Sequence, residues 1–213
     1  MRVRKKKNGA QRIAACAEYL ITEKVSSATS VFGNDKPLHV EVGCGKGNFA
    51  CGMAEKYPEV NFIAVEKVAD VCCIALEKAK VRGEQRATDN LRFIISDAKA
   101  LSENIPEHSV DCIYLNFSDP WPKAGHAKRR LTHKGFLEMY KKLLKENGVL
   151  RLKTDNVGLF DFSLEEFEAF GMQILWQTRD LHATPENENN VMTEYEKNFS
   201  DKGQPIYSAV AKF

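Results

Sequence analysis

The sequence has no long apolar run and almost no net charge. Its longest unbroken apolar stretch is six residues, Val71–Leu76, whereas a membrane-spanning helix needs roughly 20. The 213 residues carry 31 basic and 29 acidic side chains, which leaves a net charge of +2. Hydrophobic and charged fractions of 43% and 28% exclude wholesale disorder and fibrous architectures. At about 150 residues per domain, the length predicts one domain with at most a short appendage.

Cysteine motifs for metal binding or redox chemistry are also absent. The six cysteines include no C-x-x-C pair, and the vicinal pair Cys72-Cys73 lacks the spacing of a zinc site. The chain is large enough to bury a core without disulfides, so we expect buried, reduced thiols in a cytoplasmic protein. A basic stretch opens the chain with no apolar segment behind it, so a secretory signal is not expected. No metal site is suggested.

Basic side chains are concentrated in two segments that contain no acid. One lies within residues 1–12 and the other within residues 123–134. Their members are Arg2, Arg4, Lys5, Lys6, Lys7 and Arg12, and Lys123, Lys128, Arg129, Arg130 and Lys134. Lysine and arginine contacts to phosphate supply the sequence-independent part of nucleic-acid affinity. Two such clusters in a nearly neutral chain favour a polyanionic partner, although the N-terminal cluster alone is equally typical of a solvated tail.

Strand-forming and helix-forming runs alternate along the chain. The predicted strands before residue 155 are Leu38–Val42, Asn61–Val65, Leu91–Ile95, Val110–Phe117 and Val149–Lys153. The predicted helices between them are Asn48–Lys56, Ala69–Arg82 and Thr132–Glu146, the last stopped by Asn147-Gly148. Farther on we expect a helix at Ser163–Phe170, a strand at Ile174–Thr178, a polar segment at 183–204 and a strand at Ile206–Phe213. Continuous apolar strands alternating with helices predict a parallel α/β sheet.

A glycine turn follows the first predicted strand, in the run Glu41-Val42-Gly43-Cys44-Gly45-Lys46-Gly47. Its G-x-G-x-G spacing differs from the G-x-G-x-x-G of dinucleotide-binding folds. The carboxylate of Glu41 would repel a pyrophosphate but can attract the ammonium of an amino-acid moiety. The turn therefore favours S-adenosylmethionine over NAD, and a glycine turn without a ligand is the alternative.

Carboxylates also stand at the ends of the next two strands. Glu66 ends the second strand, about 20 residues beyond the glycines, where an acid can accept hydrogen bonds from ribose hydroxyls. Asp97 follows the third strand and could accept a hydrogen bond from an adenine amine. Ligands of such folds bind at the carboxyl edge of the sheet, so these side chains predict a donor site there.

The most specific stretch ends the fourth strand and reads Phe117-Ser118-Asp119-Pro120-Trp121-Pro122-Lys123. Its two prolines restrict the loop, so Asp119 and Trp121 are expected to be held in set directions. An acid at this edge points into the crevice where a methyl donor would sit. A rigid turn around a packed tryptophan is the structural alternative.

Together with three later motifs, this stretch resembles the bacterial tRNA (guanine-N7)-methyltransferase family. The later motifs are Lys128-Arg129-Arg130-Leu131, Lys153-Thr154-Asp155-Asn156 and Thr193-Glu194-Tyr195-Glu196. The resemblance covers essentially the whole chain. It implies a class I Rossmann-like α/β fold, with helices on both faces of a mostly parallel seven-stranded sheet. It also implies S-adenosylmethionine as donor and a guanosine of the tRNA variable loop as acceptor. We expect a basic arm and leading helix over residues 1–30 and one methyltransferase domain over 31–213, as a monomer or homodimer.

The resemblance also assigns roles to individual residues. The donor would be bound by Glu41, Gly43, Gly45, Gly47, Glu66, Asp97 and Asp119, and Asp119 would also be the catalytic residue. The substrate would be contacted by Lys123, Asp155, Thr193, Glu194, Tyr195 and Glu196. We expect the RNA backbone to be held by Lys128, Arg129 and Arg130. Family members often carry further basic residues where this chain has Ala124-Gly125, which predicts a weaker grip on RNA or more reliance on 128–130.

Three other functions fit parts of the pattern. A small-molecule methyltransferase would keep the fold and donor but leave both basic clusters unexplained. A non-catalytic RNA-binding protein is opposed by the intact glycine loop and the strand-end acids. An NAD-dependent dehydrogenase is disfavoured by the glycine spacing.

Overall fold

Strands and helices alternate through the residues that the structure describes. The structure is a computed structural model that describes residues 7–86 and 89–213, with only the backbone of Arg86. The strands are β1 (Leu38–Val42), β2 (Asn61–Glu66), β3 (Leu91–Ile95), β4 (Val110–Asn116), β5 (Leu144–Thr154), β6 (Gln173–Thr178) and β7 (Tyr207–Lys212). The helices are α1 (Gly9–Ala14), α2 (Ala28–Phe32), α3 (Asn48–Lys56), α4 (Ala69–Arg86), α5 (Leu101–Asn104), α6 (Lys134–Leu143), α7 (Val157–Ala169) and α8 (Glu194–Ser200).

The seven strands form one sheet in the order β3-β2-β1-β4-β5-β7-β6. The first five strands are parallel, and β7 lies antiparallel between β5 and β6. Because the order reverses between β1 and β4, a crevice opens at the carboxyl ends of these two strands. The predicted mostly parallel seven-stranded sheet is confirmed.

Two separate cores cover the two faces of the sheet. Side chains such as Val40 and Ile63 pack with α5, α6 and α7 on one face. Phe62 and Ala64 alternate with them and pack with α3 and α4 on the other face. Both faces of the central strands are therefore buried, which explains the uninterrupted apolar run at residues 62–65 of β2.

The predicted helix at 132–146 is wrong at its carboxyl end. Helix α6 stops at Leu143, and Leu144 is already extended and buried as the first residue of β5. Val110 pairs with Leu144 and Cys112 with Val149, so the four residues 145–148 lie opposite a single residue of β4. That residue, Asp111, accepts a hydrogen bond from Lys145 Nζ at 2.8 Å. Asn147-Gly148 therefore belongs to a bulge inside a strand and does not stop a helix.

The carboxyl-terminal third contains more helix than its sequence pattern predicts. Helix α7 begins at Val157 because the side chain of Asn156 accepts a hydrogen bond from the Leu159 amide at 2.8 Å. Helix α8 lies within the predicted polar segment 183–204. It begins with a capping box, in which Thr193 and Glu196 bond reciprocally to each other's backbone amides.

The described part of the amino-terminal segment packs against helix α4 and strand β3. Helix α1 contacts α4, and the Arg12 guanidinium pairs with Glu77 at 2.6 Å. Leu20 forms a parallel bridge with Phe93 beside β3. Four members of the first basic cluster, Arg2, Arg4, Lys5 and Lys6, lie outside the described residues. The domain boundary at residue 30 stays a prediction.

All six cysteines are buried and none forms a disulfide, in agreement with the expectation of buried thiols. Among the described helices, none combines the length and the apolar character needed to cross a membrane.

Candidate active site

A cleft of about 720 Å³ lies at the carboxyl edge of the sheet. Its lining includes Gly43 after β1, Glu66 at the end of β2, Asp97 after β3, and Asp119 and Trp121 after β4. The structure therefore brings together the carboxylates of three successive strand ends and the glycine turn, although they are far apart in the sequence.

The glycine turn reaches this cleft through Gly43, which is among the lining residues. Gly43, Gly45 and Gly47 have φ values of 83°, 56° and 74°, in the left-handed region that glycine adopts readily. A Cβ atom built on Gly43 or Gly45 would meet nothing within 4 Å, so open space lies against the backbone at both positions. At Gly47 a Cβ would lie 2.7 Å from Ala75 Cβ, so this glycine permits close packing of α3 on α4.

Glu66 and Asp97 are fixed at the cleft by backbone amides. Glu66 accepts hydrogen bonds from Gly45 N at 3.0 Å and from Val68 N at 2.8 Å, so it also holds the glycine turn. Asp97 caps a short 3-10 turn through Lys99 N at 3.0 Å and pairs with Lys67. The Lys99 amide and the Lys67 ammonium lower the pKa of Asp97, so its carboxylate is the favoured form.

Glu41 occupies a different environment from the other acids. It is 5% exposed, stands in β1 two residues before Gly43, and is not among the residues that line the cleft. Asn116 Nδ2 donates a hydrogen bond to Glu41 Oε1 at 3.0 Å, while Oε2 has no partner in the described chain. Burial raises the pKa of Glu41 from its ordinary value of 4.5 to about 7.

Replacing Glu41 with Gln should change how stability depends on pH. Because its folded-state pKa is raised, the folded protein keeps a proton that the unfolded chain has lost, and stability falls as pH rises from about 4.5 to about 7. Glu41→Gln has no such group to titrate. Relative to the wild type, its free energy of unfolding should therefore rise by up to about 3 kcal/mol as the pH increases from 5 to 8. Urea denaturation at both pH values measures the difference. Glu107→Gln, at an exposed carboxylate, is the control, and a Glu41→Gln difference independent of pH would contradict the assignment.

Asp119 lies in the loop that follows β4. Its side chain is exposed, and within the described chain no hydrogen bond or ion pair engages the carboxylate. The residues two positions before and after it, Phe117 and Trp121, have φ values of 52° and 42°. Asp119 therefore presents a free carboxylate to the cleft from a loop with an unusual backbone.

The second basic cluster divides by exposure. Lys123, Lys128 and Arg129 are exposed, and Arg129 lies over the ring of Trp121 with its guanidinium carbon 4.8 Å from the ring centroid. Arg130 is half-buried, and its guanidinium bonds to the carbonyls of Pro120 and Trp121 at 3.0 Å each. Lys134, the fifth member of the cluster, is also exposed, so four of the five side chains remain open to a polyanion.

The carboxyl-terminal motif forms the rim of the cleft. Tyr195 is 46% exposed, and its ring stacks on that of Phe199 with the ring centroids 4.4 Å apart. The centroid of the Tyr195 ring also lies 5.2 Å from that of Phe117, and the Tyr195 hydroxyl lies 3.5 Å from Asp155 Oδ2. Since Phe117 lines the cleft, an exposed aromatic face and the Asp155 carboxylate lie beside the Asp119 loop.

Two other residues of this motif bond to protein. The exposed carboxylate of Glu194 pairs with Lys46 of the glycine turn at 3.1 Å. Glu196 is completely buried, with Lys153 Nζ at 2.7 Å from Oε2 and His182 Nε2 at 2.9 Å from Oε1. Burial acts to raise the pKa of Glu196, but the Lys153 charge and the hydrogen bonds lower it overall. In this structure the side chain of Glu196 therefore contacts other protein side chains, and the contact with substrate implied by the resemblance stays a prediction.

Lys153 is the residue that sequence reasoning missed at this site. From the end of β5 its Nζ donates to Asn190 Oδ1 at 2.9 Å, to Val191 O at 3.0 Å and to Glu196 Oε2. One buried side chain thus fastens the segment before α8 to the sheet. A lysine at the end of a strand that also contains Arg151 carries little signal for this role, because most lysines are exposed.

Comparisons with known proteins agree with this geometry. A family described as "Putative methyltransferase" matches residues 35–209. The 16S rRNA methyltransferase KamB has the same fold, with a TM-score of 0.66 at 10% identity over 90% of this chain and 95% of its own. A structure titled as an antibiotic-related methyltransferase gives 0.63 at 15% identity over 90% of this chain and 98% of its own.

Full-length sequence relatives are much closer. The tRNA (guanine-N(7)-)-methyltransferase of Limosilactobacillus reuteri (strain DSM 20016) is 48% identical, covering 100% of both chains. The protein of the same name from Streptococcus thermophilus (strain CNRZ 1066) is 45% identical over 100% of this chain and 99% of its own. The chain therefore belongs to the tRNA (guanine-N7)-methyltransferase family.

Proposed function

We propose that this protein transfers a methyl group from S-adenosylmethionine to N7 of a guanosine in the tRNA variable loop. The observation that carries the proposal is the cleft itself. It joins a glycine turn with open space against its backbone, two strand-end carboxylates and the free carboxylate of Asp119. Full-length relatives named for this activity support the same conclusion.

The residues present fit the donor. The open backbone at Gly43 and Gly45 leaves a cradle that any side chain would fill. Glu66 would accept from the ribose hydroxyls and Asp97 from the adenine amine, since each carboxylate has lone pairs beyond those used by backbone amides. Glu41, whose Oε2 has no partner in the described chain, would in its ionised form attract the ammonium group from the end of β1. When bound, S-adenosylmethionine supplies the activated methyl group.

Asp119 is suited to the acceptor side of the reaction. Guanine N7 carries an in-plane lone pair and no proton, so its attack needs no general base. The methylated ring becomes cationic, and a carboxylate beside it stabilises charge that develops in the transition state. Asp119 can also accept hydrogen bonds from guanine N1–H and the exocyclic amine, which would orient the ring.

The carboxyl-terminal motif beside the cleft offers an aromatic face and polar groups, which an extruded guanosine requires. N7 lies on the major-groove edge, so a folded tRNA must expose or flip the base. The face of Tyr195, supported by Phe199, would stack on it, and Asp155 with Thr193 and Glu194 would supply polar contacts. Glu196 would act from below by holding this segment to Lys153. Lys123, Lys128 and Arg129 would contact the RNA backbone.

The double variant Lys128→Ala/Arg129→Ala should weaken tRNA binding and flatten its salt dependence. Each lost phosphate contact removes about one from the slope of log affinity against log salt, so the slope should fall by about two. Filter binding between low and moderate salt measures it. Lys141→Ala/Lys142→Ala removes two exposed lysines of α6 as a control. Equal slopes for the two double variants would exclude the loop as a phosphate contact.

The proposed activity is tested with labelled S-adenosylmethionine and an unmodified tRNA transcript. We expect label in the RNA, with N7-methylguanosine mapped to one variable-loop position by cleavage at the modified base. A transcript with adenosine at that position should accept none. Label on another base or on no RNA, with donor binding intact by calorimetry, would overturn the proposal in favour of a different acceptor.

A further inference from the structure

The loop that carries Asp119 needs something to hold it. Phe117 and Trp121 both have positive φ values, 52° and 42°. Bulky aromatic residues avoid this left-handed region and persist there only where the surrounding structure fixes them. On the amino-terminal side, the Phe117 amide donates to Lys153 O at 2.8 Å and ties the loop to β5. A second attachment is required beyond Asp119.

Arg130 provides that attachment. Its Nε donates to Pro120 O and its Nη2 to Trp121 O, each at 3.0 Å. Its guanidinium also lies over the ring of Phe162 in α7, with the carbon 4.2 Å from the ring centroid. The planar group thus joins two consecutive carbonyls of the loop to a helix that packs on the sheet.

Arg130 differs from Lys128 and Arg129, its neighbours in the basic segment, in its exposure and in its hydrogen-bond partners. Lys128 and Arg129 are exposed, whereas Arg130 is half-buried and uses its fork of donors on backbone oxygens. Two of its five N–H donors are thus already used on carbonyls of the loop. The expectation of RNA backbone contacts therefore suits the exposed Lys128 and Arg129 better than Arg130.

Since no side chain of the described residues holds the Asp119 carboxylate, the loop backbone alone sets its position. We propose that Arg130 is a positioning residue for methyl transfer, an inference that rests on the proposed function. It holds the loop in its left-handed conformation at Trp121 and thereby keeps the Asp119 carboxylate directed into the cleft. Arg130 does not act as a contact to the RNA backbone.

Arg130→Lys keeps the charge but cannot make both bonds in the same plane. We expect its single-turnover rate constant, at saturating tRNA and S-adenosylmethionine, to fall by about 10- to 100-fold, because small displacements of a reacting constellation have effects of this size. Its affinity for tRNA and the salt slope should stay as in the wild type. Phe162→Leu removes the ring beneath the guanidinium and should change the rate in the same direction, but less.

The matched control is Arg179→Lys. Arg179 also lies over a ring of α7, that of Phe160 at 5.6 Å, and pairs with Asp161, but it has no contact with the loop. Its variant should leave the rate constant unchanged. The positioning role is overturned if Arg130→Lys keeps the wild-type rate at saturation and Arg130→Ala, which removes the charge, lowers the salt slope by about one, as a lost phosphate contact would.

A second readout does not depend on activity. Trp121 and Trp176 are the two tryptophans of the chain, so Trp176→Phe leaves Trp121 as the only tryptophan, which is excited selectively over the tyrosines. In that background Arg130→Lys should increase acrylamide quenching of Trp121, and Arg179→Lys should not. Unchanged quenching would mean that Arg130 does not hold the loop. If the wild-type protein methylates no tRNA, the proposed function fails, while quenching still decides whether Arg130 fixes this loop.

Discussion

Replacing Asp119 with Asn is expected to slow methyl transfer by about 100-fold or more while leaving the affinity for S-adenosylmethionine nearly unchanged. The carboxylate is exposed at the cleft and has no protein partner among the described residues, so its loss should not disturb the fold. Asparagine keeps the shape but removes the negative charge that would stabilise the cationic product ring. Single-turnover kinetics with tRNA and calorimetry with the donor separate the two effects.

The control for this experiment is Asp201→Asn, an exposed aspartate just beyond α8, which should keep the wild-type rate. Loss of donor affinity with an unchanged rate at saturating donor would contradict a catalytic role. In that case Asp119 would serve as a donor-binding residue only.

Replacing Lys153 with Met is expected to lower the free energy of unfolding by about 3–5 kcal/mol. The lysine and glutamate side chains are 9% and 0% exposed, so removing the ammonium leaves the Glu196 carboxylate buried without its charge partner. The same change removes the lysine's hydrogen bonds to Asn190 Oδ1 and Val191 O. We therefore also expect weaker binding of tRNA, because the segment that carries Tyr195 is no longer fastened to the sheet. Urea denaturation measures the first effect and filter binding the second.

Two further variants test whether the buried pair causes this loss. The double variant Lys153→Met/Glu196→Gln should recover part of the stability, since it removes the uncompensated charge. Lys145→Met breaks the more exposed pair with Asp111, and its cost should be about 1 kcal/mol or less. Equal losses in the free energy of unfolding for Lys153→Met and Lys145→Met would show that burial of the Lys153–Glu196 pair does not increase the cost of breaking it.

Much of the fold could be predicted because its signals are local. Strands β1 and β3 and helix α3 begin and end where the apolar pattern, the glycine turn and the flanking polar residues place them. The cleft followed from the same pattern, since strand ends of a parallel sheet meet at one edge. That is why Glu66, Asp97 and Asp119 could be grouped in advance.

What the sequence could not reveal depends on long-range contacts. The partners of Lys153 lie 37 and 43 positions away, at Asn190 and Glu196, and no periodicity links residues so far apart. The bulge in β5 depends on Asp111 of the neighbouring strand. Arg130 is close to Pro120 in the sequence, but its role depends on the backbone conformation of the loop, and a run of basic residues does not encode that conformation.

The most direct test of the central claim replaces a single atom of the substrate. A tRNA carrying 7-deazaguanosine at the variable-loop position has C–H in place of N7 and keeps the Watson–Crick edge of the base. We predict that the protein binds this tRNA about as well as the unmodified transcript but transfers no labelled methyl group to it. Methyl transfer to the 7-deaza substrate at the same position would contradict N7 as the acceptor atom and, with it, the role assigned to the cleft.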